Sequence, residues 1–442
     1  MFTISKKNAR PIGQIKGLWL VWRQSKTAQN ISKVYLGDAL SKIIGAGSGV
    51  ILIRSLQKAD YASYVAFISV GLLFSSLVGG GINNALVRFS AEHFSSTTKK
   101  PYELYVTSLC VEIFLFFILF SFILIFPTRI AALLLGNGRL AQMLSISMVY
   151  GLGTLLYDMG RSIQQAEENF SSYIWALLLK QIAILVFIVM LLLSGKLYLR
   201  AAVWGISICQ LMIGTGTLLF GFKGFSKAFG DRKNWANKKI LLDFLTASGW
   251  LVAYCAVLAA FSRMDILMLS RYASEAELAN YGVAFQYYSL AILMLGSISA
   301  VLMPKFSKVG MQNIQTQNNF LYRWLKLSSI LGIPVLIFVI WGRPIFVFIN
   351  GAQYDQAFIV LAVLLIGVWL SLMFSPLVNI LIGRKEFKFL CIIGIIAFCA
   401  SIITNYIGVH ILGAIGVAVA LIITHNIVLQ VPILWKVHKQ HR

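Results

Sequence analysis

The chain has 442 residues, 59% of them apolar and 12% charged, with a mean hydropathy of +0.81 and a formal net charge of +23. Soluble domains average roughly 45–50% apolar and 25% charged, so this composition excludes a water-soluble fold and marks an integral membrane protein. No polar stretch is long enough for an attached ATPase, kinase or glycosyltransferase domain, and the continuous apolar runs exclude the short alternation of β-barrel strands.

The first 34 residues form a basic tail with seven Lys/Arg, no acid, and Trp19 and Trp22 interleaved. It reads as a topology signal or as a surface helix on anionic lipid. Its apolar piece, Leu18 to Trp22, is shorter than the roughly 7–15 residues of a signal-peptide core, so no cleavable leader is expected.

A membrane-crossing helix takes about 20 residues. Twelve are expected, at 35–56, 61–86, 103–126, 140–160, 173–194, 201–222, 241–269, 280–303, 325–346, 358–382, 389–410 and 414–435. Gly, Pro and charge clusters separate them, most clearly Lys99-Lys100-Pro101, the run from Lys223 to Lys239, and Gly383-Arg384-Lys385. Placing both termini in the cytoplasm puts 27 Lys/Arg on that side and 8 on the other, with Lys42, Lys180 and Arg263 inside spans. That asymmetry sets the expected orientation.

The sequence repeats itself at an offset of 217 residues. Arg54, Ala59, Ala62 and Tyr64 meet Arg271, Ala276, Ala279 and Tyr281, with Asp60 opposite Glu277. The register continues without a gap through Gly79 and Gly296, Leu104-Tyr105 and Leu321-Tyr322, Pro127 and Pro344, and Phe170 and Phe387. Six spans per half give a parallel repeat about an axis along the membrane normal, an arrangement common in transporters. The expected organisation is a cytoplasmic tail (1–34), a first six-helix lobe (35–222), a cytoplasmic linker (223–240), a second six-helix lobe (241–435) and a short cytoplasmic tail (436–442). The lobes would flank a central cleft.

Charges inside spans are costly and mark functional candidates. Asp38 and Lys42 are four apart, on one helix face with Gly45 and Gly49, so that a ligand or another helix can come close there. Glu112 shares a face with Tyr105 and Ser108. A polar stripe runs through Tyr150, Thr154, Tyr157, Asp158 and Arg161, where Asp158 and Arg161 either pair locally or face the cleft. Lys180 stands beside Gln181. Arg263 and Asp265 would point about 200° apart on one continuous helix. Asp38, Glu112, Asp158 and Asp265 are the candidates to carry a coupling ion, because burial disfavours a carboxylate's charged form and favours proton exchange. The five cysteines have no CxxC or metal spacing and read as packing groups. His410 and His425 read the same way, and Pro334 and Pro376 as kinks. No catalytic motif, metal site or cofactor motif is present, and no nucleic-acid partner is expected.

With these residues in view, the chain resembles the multidrug/oligosaccharidyl-lipid/polysaccharide exporter (MOP) superfamily, and within it the Wzx-type polysaccharide flippases. The likeness is carried by Leu52 to Phe67 ("LIRSLQKADYASYVAF") and Gly79 to Glu92 ("GGGINNALVRFSAE"), and in the second half by Asp265 to Phe285 and Leu302 to Lys308. Ser63 stands where such proteins usually carry glycine, whereas Asn280-Tyr281-Gly282 keeps the pattern. The resemblance implies a MATE-like fold of two six-helix lobes in the bacterial inner membrane. It implies translocation of an undecaprenyl-pyrophosphate-linked oligosaccharide without ATP hydrolysis, coupled to H⁺ or Na⁺, with membrane lipids, a polysaccharide polymerase and a chain-length regulator as partners.

A diphosphate headgroup in a low-dielectric cleft needs positive charge waiting for it. Lys42, Lys180 and Arg263 are the expected contacts, and Arg54 and Arg271, near the outer ends of spans 1 and 7, the expected guides for release. The alternative is that Lys42 merely balances Asp38, and Lys180 balances Glu112 across helices. A drug or cation antiporter of the same superfamily would want acidic groups in the cleft. A polytopic polymerase or transferase would want a large outer loop, and every outer loop here is short.

Overall fold

The computed structural model describes residues 26–96, 102–136, 141–222, 238–310, 314–383 and 386–439. The basic tail before Lys26, most of the inter-half linker (223–237), the basic separators at 97–101 and 384–385, and the last three residues lie outside them.

Every regular element among the described residues is helical. The first half comprises α1 (Lys26–Ser55), α2 (Lys58–Ser96), α3 (Tyr102–Ile125), a short α4 (Pro127–Leu135), α5 (Ala141–Ala166), α6 (Phe170–Leu193) and α7 (Leu199–Gly221). The second comprises α8 (Lys238–Phe261), a short α9 (Met264–Tyr272), α10 (Glu275–Gly310), α11 (Ile314–Trp341), a short α12 (Arg343–Asn350), a 3₁₀ turn (Ala352–Tyr354), α13 (Asp355–Gly383), α14 (Phe387–Ile422), a π-turn (Ile423–Val428) and α15 (Gln430–Lys439). Helices satisfy their backbone polar groups internally, which is what a bilayer demands. The 217-residue offset carries Lys58 at the start of α2 onto Glu275 at the start of α10, and Phe170 of α6 onto Phe387 of α14.

Local chemistry sets several helix starts. Asn169 caps α6, its side chain accepting from the Ser172 N–H at 3.3 Å. Ahead of α10, the Ser274 hydroxyl accepts from the Glu277 N–H at 3.3 Å, while the Glu277 carboxylate accepts from the Ser274 N–H at 3.3 Å, a reciprocal capping box. Proline sits in the first turn of both α4 and α12, where its missing N–H costs nothing.

Nine segments among the described residues are long and apolar enough to cross a membrane. One of them, Phe387–Val437, has 51 residues, more than twice the roughly 20 that one crossing takes. It breaks at Gly413, whose φ of 56° and ψ of −130° leave the helical region. The chain is thus an all-α, multi-pass membrane protein. The count differs from the twelve expected spans partly because spans 11 and 12 run into one segment. In addition, α5 and α10 fall outside the nine, α5 being diluted by the stripe from Tyr150 to Arg161.

Other expectations need correcting. Span 7 is not one helix: it ends at Phe261 and restarts at Met264, with Arg263 at the break (φ −127°, ψ 0°). Span 9 (325–346) is broken as well: α11 ends at Trp341 and the short proline-started α12 begins at Arg343, matching α4 after span 3. Cys110 and Cys399 are exposed rather than buried, because an apolar face in a bilayer packs against lipid. Pro334 and Pro376 do lie inside helices, in α11 and α13.

In the first half α5 packs against α2 and α7, and α1 against α6; in the second, α10 packs against α13 and α8 against α14. The halves meet where α2 contacts α8 and α10, α1 contacts α10 and α12, and α4 contacts α9. The α5–α7 seam is made by glycines: a Cβ at Gly214 would stand 2.1 Å from the Gly153 carbonyl oxygen, and one at Gly160 2.8 Å from that of Thr217. Small residues let membrane helices approach this closely.

Candidate functional site

The embedded charges of the first half converge. Asp38 and Lys42 come from α1, Asp158 and Arg161 from α5, and Lys180 from α6. Lys42 lies in electrostatic range of Asp38, Arg161 and Arg263, and Lys180 in range of Asp158, Arg161 and Lys42. The α1–α6 contact and the tight turn from α5 into α6 bring them together.

Two tyrosines organise the cations. Arg161 donates to the Tyr173 hydroxyl, lies 4.3 Å from the Tyr173 ring and 5.4 Å from the Tyr157 ring, and stands 4.0 Å from Asp158. The Lys180 ammonium sits 4.6 Å from the centre of the Tyr157 ring. Aromatic faces hold a desolvated cation electrostatically while leaving its donors free for another partner. The side chains of Arg161 and Asp158 are partly exposed. On the other side, Arg263 sits 5.4 Å from the Phe285 ring and within electrostatic range of Asp265 and of Tyr150 in α5. Four cations and two accessible carboxylates thus form one neighbourhood built from both halves.

The remaining two carboxylates are buried behind it. Asp265 accepts from the Tyr281 hydroxyl at 2.5 Å and from the Ile266 N–H at 2.8 Å. The 200° separation from Arg263 does not apply, because the helix break lies between them. Glu112 is fully buried in α3, and among the described residues neither carboxylate oxygen has a hydrogen-bond partner. The buried Asn83 Oδ1 and Ser108 Oγ also lack one. Gly79 lies alongside, where a Cβ would stand 3.6 Å from Glu112 Oε1 and 3.1 Å from Asn83 Nδ2. Glu112 feels the charge of Asp158.

Two expected contacts fall elsewhere. Arg54 donates to the backbone oxygens of Phe348 and, at 2.8 Å, Ile349, and Arg271 donates to that of Leu133. The face of α1 below them is also filled: a Cβ at Gly45 would stand 2.9 Å from Gln181, and one at Gly49 2.3 Å from Gln286, which donates to the Ala46 carbonyl at 3.2 Å. Helices, rather than a ligand, use the closeness these glycines permit. A cavity of about 310 Å³ lined by Asp60, Gln142, Tyr198 and Arg200 includes none of the expected site residues.

The sequence leaves Arg161 either paired locally with Asp158 or facing the cleft, and it gives Tyr173 and Tyr281 no part in the site. The Tyr157–Arg161 spacing signals a shared face, but Tyr173 joins only through the turn between α5 and α6.

Among solved structures, the lipid II flippase MurJ in an inward closed conformation aligns with a TM-score of 0.72 at 18% identity, over 92% of this chain and 87% of that one. An inward-facing multidrug resistance MATE family transporter of the MOP superfamily aligns with a TM-score of 0.70 at 16% identity, over 92% and 97%. A MOP superfamily transporter from Pyrococcus furiosus, described as having a binding pocket of reverse polarity, gives 0.63 at 14% identity, over 93% and 96%. These likenesses establish a MATE/MurJ-like fold. No curated protein matches the chain. Residues 27–309, well over half the sequence, match the polysaccharide biosynthesis protein family, and the chain belongs to that family.

Proposed function

We propose that this protein is a flippase that carries an undecaprenyl-pyrophosphate-linked oligosaccharide from the cytoplasmic to the periplasmic leaflet of a bacterial inner membrane. In this reading it has twelve crossings in two six-helix lobes, 35–222 and 241–435, around a central cleft, with both termini cytoplasmic. The observation that carries the reading is the gathering of Lys42, Arg161, Lys180 and Arg263 at one place inside a membrane protein of a polysaccharide biosynthesis family.

A diphosphate is multiply charged, and leaving it unpaired in a low-dielectric cleft is very costly. Arg161 offers a planar fork suited to phosphate, whereas the lysines offer mobile point charges that release more readily. A cation antiporter would need the reverse balance of accessible charge. The flippase reading also gives the buried carboxylates work. An ionised carboxylate without a partner in a dry interior is costly, so Glu112 is suited to take up a proton or monovalent cation as the lobes rock, and the buried Asp265, whose partners are a hydroxyl, a backbone N–H and the nearby Arg263, is a second candidate.

The test is reconstitution of the purified protein in liposomes with a fluorescent undecaprenyl-pyrophosphate oligosaccharide. Expected is gradient-stimulated movement between leaflets with the lipid chemically unchanged. Sugar transfer or polymerisation instead would defeat the reading. Cysteines placed at Asn234 and Gln353 test the orientation, with labelling from the cytoplasmic and periplasmic sides respectively.

A further inference from the structure

Arg54 and Arg271 are related by the 217-residue repeat, and so are the helices they bind. Arg54, in the last turn of α1, donates to the Phe348 and Ile349 carbonyls that end α12. Arg271, in the last turn of α9, donates to the Leu133 carbonyl near the end of α4. Each arginine therefore leaves its own half of the chain and caps the short proline-started helix of the other. The bonds are reciprocal: first half to second, and second half to first.

The last carbonyls of a helix have no partner within it and carry the negative end of its dipole. A guanidinium is a fitting cap, because it stays charged and presents several donors in a fixed plane. Neighbouring contacts reinforce each arm. The Lys58 ammonium donates to the Gln353 carbonyl at 3.1 Å and lies 5.6 Å from the Tyr354 ring, which Tyr61 meets edge-on at 6.0 Å. On the other arm the Gly136 backbone presses on Arg271, so that a Cβ there would stand 2.7 Å from the Arg271 carbonyl oxygen. Both arginines are exposed, at the end of the bundle that the flippase reading assigns to the periplasm.

The geometry points to a two-armed latch: Arg54 on α12 and Arg271 on α4 hold the two halves together at this end, and both arms must release before the cleft opens there. This rests on the two-lobe flippase reading for its meaning in transport, but the latch itself is a property of the resting protein. One arm alone would hold the halves at a single point, whereas two repeat-related arms hold them at two and so oppose their separation at this end.

The experiment is distance measurement between spin labels in purified, membrane-reconstituted protein whose native cysteines are replaced by serine. One pair, at Gln57 and Gln353, reports the first arm; another, at Ala132 and Ala276, reports the second. The unsubstituted latch should give a single short distance at each pair. Arg54→Gln with Arg271→Gln should produce a longer-distance population at both pairs, its ratio to the short one rising about tenfold or more per arm, as expected for loss of a charged hydrogen bond. Unchanged distances in the double variant, or lengthening at one pair only, would overturn the latch. Should the glutamine variants fail to insert, a Gln57→Cys/Gln353→Cys disulfide serves instead: oxidation should stop polysaccharide export in cells and reductant restore it, and full export by the oxidised protein would overturn the proposal. The distances need no substrate, so a latch that opens in a protein that moves no lipid would sink the flippase reading and leave the latch standing.

Discussion

The Tyr281 hydroxyl donates to Asp265 Oδ2 at 2.5 Å, tying the start of α9 to α10 inside the second half. The repeat gives Tyr64 as the counterpart of Tyr281 but Ser48 as that of Asp265, so this carboxylate belongs to the second half alone. Its bonds come from a hydroxyl and a backbone N–H, and protonation would exchange them for others. Asp265→Asn is expected to abolish gradient-stimulated transport in correctly inserted protein, while Tyr281→Phe lowers it severalfold by loosening the carboxylate. Gradient dependence that survives Asp265→Asn would remove this residue from the coupling path.

Glu112 makes a separate prediction. Neither of its oxygens has a hydrogen-bond partner among the described residues, so a neutral glutamine of the same shape should be accommodated in its place. Glu112→Gln is therefore expected to leave the level of inserted protein unchanged while uncoupling transport from the gradient. Equal proton or Na⁺ stimulation in variant and parent would show that Glu112 is only a buried acid.

The helix seam of α5 and α7 can be tested without any transport assay. A methyl at Gly214 meets the Gly153 carbonyl oxygen at 2.1 Å, and backbone gives way poorly, so Gly214→Ala should destabilise by about 1–3 kcal/mol, the usual cost of overpacking. Gly216, two residues along the same helix, has nothing within 4 Å of a Cβ. Gly216→Ala should be neutral or stabilise by up to about 1 kcal/mol, from helix propensity. Thermal unfolding of the two variants in one detergent gives the comparison, and equal melting temperatures would contradict the seam.

Much of this architecture is legible in the apolar runs and in the 217-residue repeat, because bilayer thickness sets helix length and the repeat registers one half on the other. The break at Arg263 is not, since Phe261-Ser262-Arg263 contains neither glycine nor proline and interrupts an apolar run by only two residues. The helices α4 and α12 are too short to read as spans, although Pro127 and Pro344 mark their starts. Residue type and depth pick out Lys42 and Lys180, but their neighbours depend on packing. Lys180 meets Asp158 and Arg161, which α5 presents, rather than the expected Glu112 on α3. Arg54 and Arg271 stand out in the repeat, yet their partners lie in the opposite half, beyond the reach of any local pattern.

Arg161 is held between Tyr157 and Tyr173, so it separates a headgroup contact from a simple counter-charge to Asp158. Lysine keeps the charge but loses the planar stack and the fork. Arg161→Lys is therefore expected to lower export about tenfold at normal expression, and Tyr173→Phe to lower it less, by removing one bond and keeping the ring. Full activity in Arg161→Lys would reduce this arginine to a counter-charge.

Paired neutralisation distinguishes a cationic substrate site from internal charge balance. If Lys42 only balances Asp38, and Lys180 only balances Asp158, removing both charges of a pair leaves nothing uncompensated. Lys42→Met with Asp38→Asn, and Lys180→Met with Asp158→Asn, should then insert and export at the parental level. If the lysines meet a diphosphate, each double variant should insert normally yet export at least tenfold less, because positive charge has left the place where the anion must be desolvated. The single Lys42→Arg and Lys180→Arg variants should keep part of the activity, since charge persists while mobility falls. Surface polysaccharide in a strain lacking the parental gene gives the readout, with membrane-fraction immunoblots to confirm insertion. Parental export from both neutral doubles would defeat the cationic-site reading. Loss from the Lys180 pair alone would place the headgroup beside α6, in reach of Arg161 and away from α1.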